Sequence, residues 1–431
     1  MADLKYLSNK AVELIKEKAD EGFVSVNYSE KREFNLESGE FTLYRTLFNE
    51  GVTVQVYKDK KKGVYATNKL GENDIINAVN TAVESAESAE SDDANILAEN
   101  QGEIESNQGV YDPDEEKLFA RTLELKETLE KDYPKIQIVG IIVSHSRVDS
   151  VYANTNGTTY VHKSGSYYVS LEVSGHDGDK TTGLIYPGFA TNQLEKPFIE
   201  MSNVKESLET AIKQLDAAPI TEKFTGTMVC TPGILSGLFY CVAGMAGGNS
   251  ILEKTSIYMD KLGQKIADER INVTFKAEPD DRIVGYQVLS DGYKAETYDF
   301  IKDGVLKNFN IGDYVARKTG FERAKNGQGN MFVGIGEKSV EEIISTIDKG
   351  ILVGDFSGGE PSINGDFSGV AKNSFLIENG KVTRALSETM INGNFAEMLN
   401  SLRDISKEVV LDGSSVIPYT AFDGIVVSGI E

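Results

Sequence analysis

The chain of 431 residues carries 44 basic and 67 acidic residues, a net charge of −23, and so acidic a surface, without a basic stripe, argues against nucleic acid as a partner. Hydrophobic residues make up 40% and charged residues 26%, which excludes wholesale disorder, and the length suits two domains of roughly 200 residues each. No apolar run approaches the ~20 residues of a membrane helix, the N-terminus has no apolar signal core, and two cysteines, Cys230 and Cys241, cannot frame a disulfide scaffold. These features predict a cytoplasmic protein with reduced thiols and no membrane contact.

In chain order, Leu4, Leu7, Ala11, Leu14 and Ile15 recur at helical spacing, predicting an amphipathic helix over 3–21 that Gly22 closes. Strand-like runs follow at 23–28, 33–36, 41–48, 51–57 and 63–67, with the charged segment 58–62 as a hairpin tip. Asn73 and Asp74 open a second helix to about Ala89. Between Gly71 and Glu116 there is no lysine or arginine. Residues 91–110 therefore read as a mobile acidic connection, either a solvated face or a docking surface. Pro113 starts a third helix, to 131. Strands follow at 136–143, 148–154, 158–162 and 167–176, with turns at Asn156-Gly157 and Ser164-Gly165, and a fourth helix spans 204–217.

Pro219 and the polar run after it mark a boundary that divides the chain into domains 1–218 and 219–431. Beyond it the spacing predicts a strand at 226–231, a small-residue helix at 233–247, and strands at 271–276, 283–287, 295–301 and 304–309. A short helix at 340–349 leads into a strand at 350–353. Two strands fall within 370–391, and the chain closes with strands near Val409, Ser415 and Ile425. The repeated runs 355–358 and 366–369, both Asp-Phe-Ser-Gly, read as two similar turns, being too close for a solenoid period. The fold class is α+β: an N-terminal helix-on-antiparallel-sheet domain, then a mainly antiparallel, barrel-like C-terminal domain.

The residues alone offer no self-sufficient active site. The three histidines, His145, His162 and His176, lie on or beside predicted strands and form no helical zinc pair; exposed hairpin ends explain them, and a site built from all three is the alternative. No Gly-x-Ser-x-Gly elbow occurs. Cys241 has no histidine nearby in sequence and sits in an apolar helix, the setting of an inert core thiol. Asp366, Phe367 and Ser368 fall in a run of turn-forming residues, and Glu388 reads as an exposed strand-end carboxylate.

Several ordered blocks are nevertheless recognisable. The runs 365–371 (Gly-Asp-Phe-Ser-Gly-Val-Ala), 375–382 (Phe-Leu-Ile-Glu-Asn-Gly-Lys-Val) and 387–394 (Ser-Glu-Thr-Met-Ile-Asn-Gly-Asn) resemble the signature of the PmbA (TldE) branch of the TldD/PmbA family, formerly labelled modulators of DNA gyrase. Blocks at 256–263, 297–306 and 416–418 are similar to others of that family. The N-terminal half matches in element order and in the 154–157 turn. The resemblance implies a zinc-bearing TldD-like peptidase subunit as partner, a homodimer when the chain is alone, and unfolded or flexible peptides as substrates. The zinc-bearing branch places His-Glu-x-x-x-His on a helix, with a cysteine near the C-terminus. An ungapped placement puts Phe239, Tyr240 and Gly244 at the helical positions and Asp412 at that of the cysteine. No histidine follows His176, so this half cannot build that centre, and the resemblance implies zinc in the partner and no cofactor or catalytic residue here. Asp366, Phe367, Ser368 and Glu388 are the expected peptide-cavity residues. Two other readings stay open: a peptide-binding scaffold homo-oligomer without hydrolysis, and a peptidase using Asp366, Glu388 or Asp412 with a recruited metal.

Overall fold

The computed structural model describes residues 3–278, 285, 288–327, 329–359 and 361–429; nearly all of the strand predicted at 283–287 lies outside them. The first half comprises helices α1 (Leu4–Lys18), α2 (Glu72–Glu87), α3 (Glu115–Asp132) and α4 (Val204–Gln214). Its strands are β1 (Glu21–Glu37), β2 (Glu40–Lys58), β3 (Lys61–Thr67), β4 (Glu103–Gly109), β5 (Ile136–Asn154), β6 (Thr159–Asp177), β7 (Lys180–Thr181) and β8 (Gly188–Thr191). They form one sheet of order β3-β2-β1-β5-β6-β4, with β7 and β8 also paired to β6. Alternate residues of β1, among them Val24, Val26 and Leu36, are buried with the apolar stripes of the helices, so one face of the sheet carries the core.

The sheet corrects several expectations. Helix α1 starts at an Asp3 cap whose side chain accepts the Tyr6 amide, and it ends at Lys18 with Ala19 as its cap. Gly22 is not that cap: it lies inside β1, where a Cβ would press on the Gln55 carbonyl oxygen. The strands predicted as pairs of short pieces are continuous. Register runs unbroken from Glu21 opposite Tyr57 to the tip at Glu37 and Glu40, apart from one shift near Leu36. Charged residues in the gaps between those pieces, Glu30, Lys31, Arg32 and Arg147, are strand residues in an ion network with buried carboxylates. Glu30, 6% exposed, receives Arg32 and Arg147, and Glu33 receives Lys31 and Arg45. Ser164-Gly165 is likewise no turn but mid-strand, where any Cβ on Gly165 would overlap the Val110 carbonyl. The turn at Asn156-Gly157 is present, with Gly157 at φ 96°.

The acidic connection is packed down. Leu97 and Ala98 are buried, and 103–109 forms β4, parallel to β6. Asp92 accepts from the Tyr314 hydroxyl at 2.8 Å and the Lys318 ammonium at 2.9 Å. The Ala94 amide, then Lys318 and Tyr314, hold its carboxyl down at about 2, from 3.8. A depressed carboxyl stabilises the link above its ordinary titration range and loses that contribution as pH falls toward the lowered value. We expect amide protection factors over 92–98 to drop selectively between about pH 4 and 2, and Asp92→Asn to remove that pH dependence in the same exchange measurement.

The second half holds α5 (Pro232–Met245), α6 (Gly248–Leu252), α7 (Asp313–Thr319), α8 (Val340–Ser345) and α9 (Phe395–Met398). Its strands are β9 (Phe224–Cys230), β10 (Val273–Phe275), β11 (Tyr298–Lys302), β12 (Val305–Leu306), β13 (Met331–Val333), β14 (Lys349–Val353), β15 (Asp355–Ser357), β16 (Asp366–Lys372), β17 (Ser374–Glu378), β18 (Lys381–Leu386), β19 (Thr389–Asn394), β20 (Leu402–Leu411) and β21 (Val416–Ser428). The sheet is mainly antiparallel, with parallel pairs β9–β14 and β13–β21. Ser415 and Ile425 do not mark two strands: β21 runs from Val416 past Ile425 and pairs with β9, β13, β19 and β20. The two Asp-Phe-Ser-Gly runs are not turns either. Their first three residues are β15 and the start of β16, which pair with each other, and Phe356 meets Phe367 edge-on at 5.8 Å. The fold is thus α+β, helix on sheet followed by a curled, mainly antiparallel sheet around α5. Among the described residues no helix is long and apolar enough to cross a membrane.

The halves meet through named bonds. The Ala190 amide on β8 donates to the Asp412 carbonyl at 2.8 Å. The Tyr419 hydroxyl lies 2.5 Å from both carboxylate oxygens of Glu206 on α4, and the Gln214 side chain donates to the Ser374 carbonyl at 2.9 Å.

Candidate functional site

Helix α5 is the centre of the C-terminal core. Pro232 at its first turn suits a position with no intrahelical donor to lose. Leu235, Leu238, Phe239 and Val242 bury one side, while Gly233, Gly237, Tyr240 and Gly244 form the exposed one. Glycines weaken a helix by about 1 kcal/mol each against alanine, and burial of the opposite face offsets that cost.

This geometry separates the residues that the ungapped placement sets at the zinc-ligand positions. Phe239 is 1% exposed and packs edge-on against Phe395 at 6.0 Å, facing the core. Tyr240 stands on the exposed side; burial first, then the nearby Asp412 charge, raises its phenol above the usual value. Gly244, four residues on, shares that side. Asp412 is fully engaged. Its Oδ1 accepts the amides of Ser414 and Ser415 at 2.8 and 2.6 Å and the Ser414 hydroxyl, and its Oδ2 accepts the Ser415 hydroxyl at 2.7 Å. Tyr240 is thus near Asp412, with Gly244 on the same side of α5 and Phe239 turned from it. They provide no imidazole or thiolate, and the carboxylate is spent on its own loop, so these residues do not fit a zinc ion. Among the described residues no group of three histidine, cysteine or acidic side chains is arranged to hold a metal.

The histidines are dispersed. His145 is not a hairpin-end residue: it is 1% exposed in mid-β5, where its Nε2–H donates to the Val110 carbonyl at 2.6 Å and burial lowers its pKa. His162 is half-buried, its Nδ1 2.6 Å from the Ser106 hydroxyl. His176 is exposed at the end of β6. Cys230 is fully buried, which pushes its thiol well up, and Cys241 is half-buried on α5.

Of the expected cavity residues, Phe367 lines a cavity beside α5. Asp366 opens β16 and clamps a turn, accepting from the Asn364 and Asn394 side chains at 2.8 and 2.9 Å. Ser368 is exposed, its amide donating to the Gly359 carbonyl at 3.0 Å. Glu388 sits in the turn before β19 at φ 44°.

Three cavities adjoin at the N-terminal end of α5. The first, about 250 Å³, lies between the halves, with Glu206, Thr231, Asp355, Asn373 and Tyr419 in its wall. The second, about 280 Å³, shares Tyr186, Asn203, Pro232, Gly233 and Val410 with it and adds Asp412. The third, about 200 Å³, shares Gly233 and Asp355 with the first and is mostly apolar, walled by Ile234, Leu238, Phe356, Phe367 and Ile391. Glu206 and Tyr419 escaped sequence reasoning because 213 residues separate them and neither belongs to a motif.

Similarity to known proteins runs across the chain. Residues 222–429 match the PmbA/TldA metallopeptidase C-terminal domain, and residues 23–86 match domain 1 of the same metallopeptidases. The chain is 24% identical over 432 residues to the metalloprotease PmbA of Escherichia coli O157:H7, covering 96% of this chain and 94% of that one. It superposes on the crystal structure of TldE from Thermococcus kodakarensis with a TM-score of 0.84 at 22% identity, over 98% of this chain and all of that one. A structure from Bacteroides thetaiotaomicron described as a modulator of DNA gyrase gives 0.86 at 23% identity, over the whole of both chains. The structural likenesses establish the shared fold.

Proposed function

Because the chain belongs to the TldD/PmbA family, in its PmbA (TldE) branch, we propose that it is the subunit without zinc in a two-subunit peptidase, acting in the cytoplasm on unfolded or flexible peptides and on small peptides that need processing. The observation that carries this reading is the state of the aligned ligand positions. Phe239 points into the core, Tyr240 and Gly244 bring no donor that suits zinc, and Asp412 spends its oxygens on Ser414 and Ser415. A chain of a metallopeptidase family built this way contributes walls and binding surface, while a TldD-like partner contributes zinc and its activated water. The cavities beside α5 supply surface for that task.

The test is zinc content and casein-peptide hydrolysis of the purified chain, alone and mixed with a TldD-like zinc subunit. We expect the lone chain to carry no stoichiometric zinc and to be inert, and the mixture to cleave. Hydrolysis by the lone chain would overturn the reading. Inertness of both, with retained peptide binding by a homo-oligomer, would favour a scaffold role.

A further inference from the structure

The cavities at the start of α5 differ sharply in character, and the difference points to a ligand. The apolar chamber is floored by the crossed rings of Phe356 and Phe367. Along it, Gly233 and Gly237 present bare backbone: a Cβ built on either meets nothing within 4 Å. The adjoining chambers contain the carboxylates of Glu206, Asp355 and Asp412, and among the described residues lining all three there is no lysine, arginine or histidine. Glu206 accepts only from the Tyr419 hydroxyl among its described contacts, leaving lone pairs on a group that can accept about four bonds. Asp355 takes the Phe356 amide at 2.7 Å. Carboxylates in a cleft with apolar walls concentrate their field on a cation. The strand that carries Asp355 and Phe356, β15, pairs only with β16 among the described residues.

We propose that the joined cavities form a peptide subsite of this chain's own, seating an apolar side chain on Phe356 and Phe367 and a lysine or arginine side chain beside Glu206 and Asp355. The proposal rests on the peptide-handling role above and adds a preference to it: basic–apolar segments are held, acidic ones repelled.

The test uses the full-length chain and fluorescence anisotropy with the labelled peptide Gly-Lys-Gly-Phe-Gly-Lys-Gly. Two relatives accompany it, one with both lysines changed to glutamate and one with phenylalanine changed to serine. We expect the parent peptide to bind at least roughly tenfold tighter than either, the range one apolar contact or a pair of charge contacts supplies, with the lysine preference shrinking as salt rises. Gly237→Leu, which fills the chamber while improving helix propensity, should weaken the parent peptide about tenfold without lowering the melting temperature. The double substitution Glu206→Gln/Asp355→Asn should abolish the lysine-over-glutamate preference and retain that for phenylalanine over serine. Equal affinities for the three peptides, no binding of any, or a Gly237→Leu chain that binds like the parent would each overturn the proposal. Failure here alongside partner-stimulated hydrolysis removes only the subsite; peptide preference without stimulation removes only the two-subunit reading.

Discussion

Phe239→Ala is expected to destabilise the protein by about 3–5 kcal/mol, the range for deleting a fully buried aromatic side chain. The ring is 1% exposed, and it links α5 to Phe395, which in turn meets Phe422 of β21 edge-on at 5.6 Å. Removing it leaves a void where helix, β21 and α9 converge, and the rings around it, held by their own backbone, can close that void only in part. Urea denaturation followed by circular dichroism should register the loss as a lower midpoint at unchanged slope. Phe239→His should fall in the same direction, since an imidazole there finds apolar rings and no hydrogen-bonding partner. It should also fail to bind zinc, because position 239 faces away from the side of Tyr240 and Asp412. A loss below about 1 kcal/mol for Phe239→Ala would place this ring outside the core.

Gly413→Ala should cost roughly 2–4 kcal/mol, combining backbone strain with a steric clash. Gly413 has φ 91°, and a Cβ there would overlap the Ala190 carbonyl oxygen. That is the spot where the 412–415 loop lies on β8 and the Ala190 amide reaches the Asp412 carbonyl. The variant should therefore do more than lower the melting temperature: hydrogen exchange at Ala190 and across 412–415 should rise together. Gly233→Ala is the control. It is helical, it has open space around it, and it should be neutral or slightly stabilising. Similar effects from the two substitutions would mean that the loop does not depend on its close approach to β8.

The sequence carried the order of the elements well where local chemistry decides alone, as at the Asn156-Gly157 turn. It concealed the length of β1 and β5, because Glu30, Arg32 and Arg147 look like loop residues until both arginines pair with Glu30. The resemblance set the expected zinc-ligand positions on α5 but could not give their direction. A helix apolar on nearly every side has no phase that tells its buried face from its open one, so Phe239 and Tyr240 read alike in the sequence, yet the fold buries the first and exposes the second. The cavity wall was illegible for another reason: Glu206, Asp355 and Tyr419 converge only after both sheets have formed.

That the walls of one cleft come from both halves has a mechanical corollary. Glu206 rides on α4 and Tyr419 on β21, and the Ala190–Asp412 bond lies nearby, so any displacement of one half against the other would pull the two sides of the cleft apart. A guest that touches both walls would then steady the contact between the halves by as much free energy as that contact adds to its own grip.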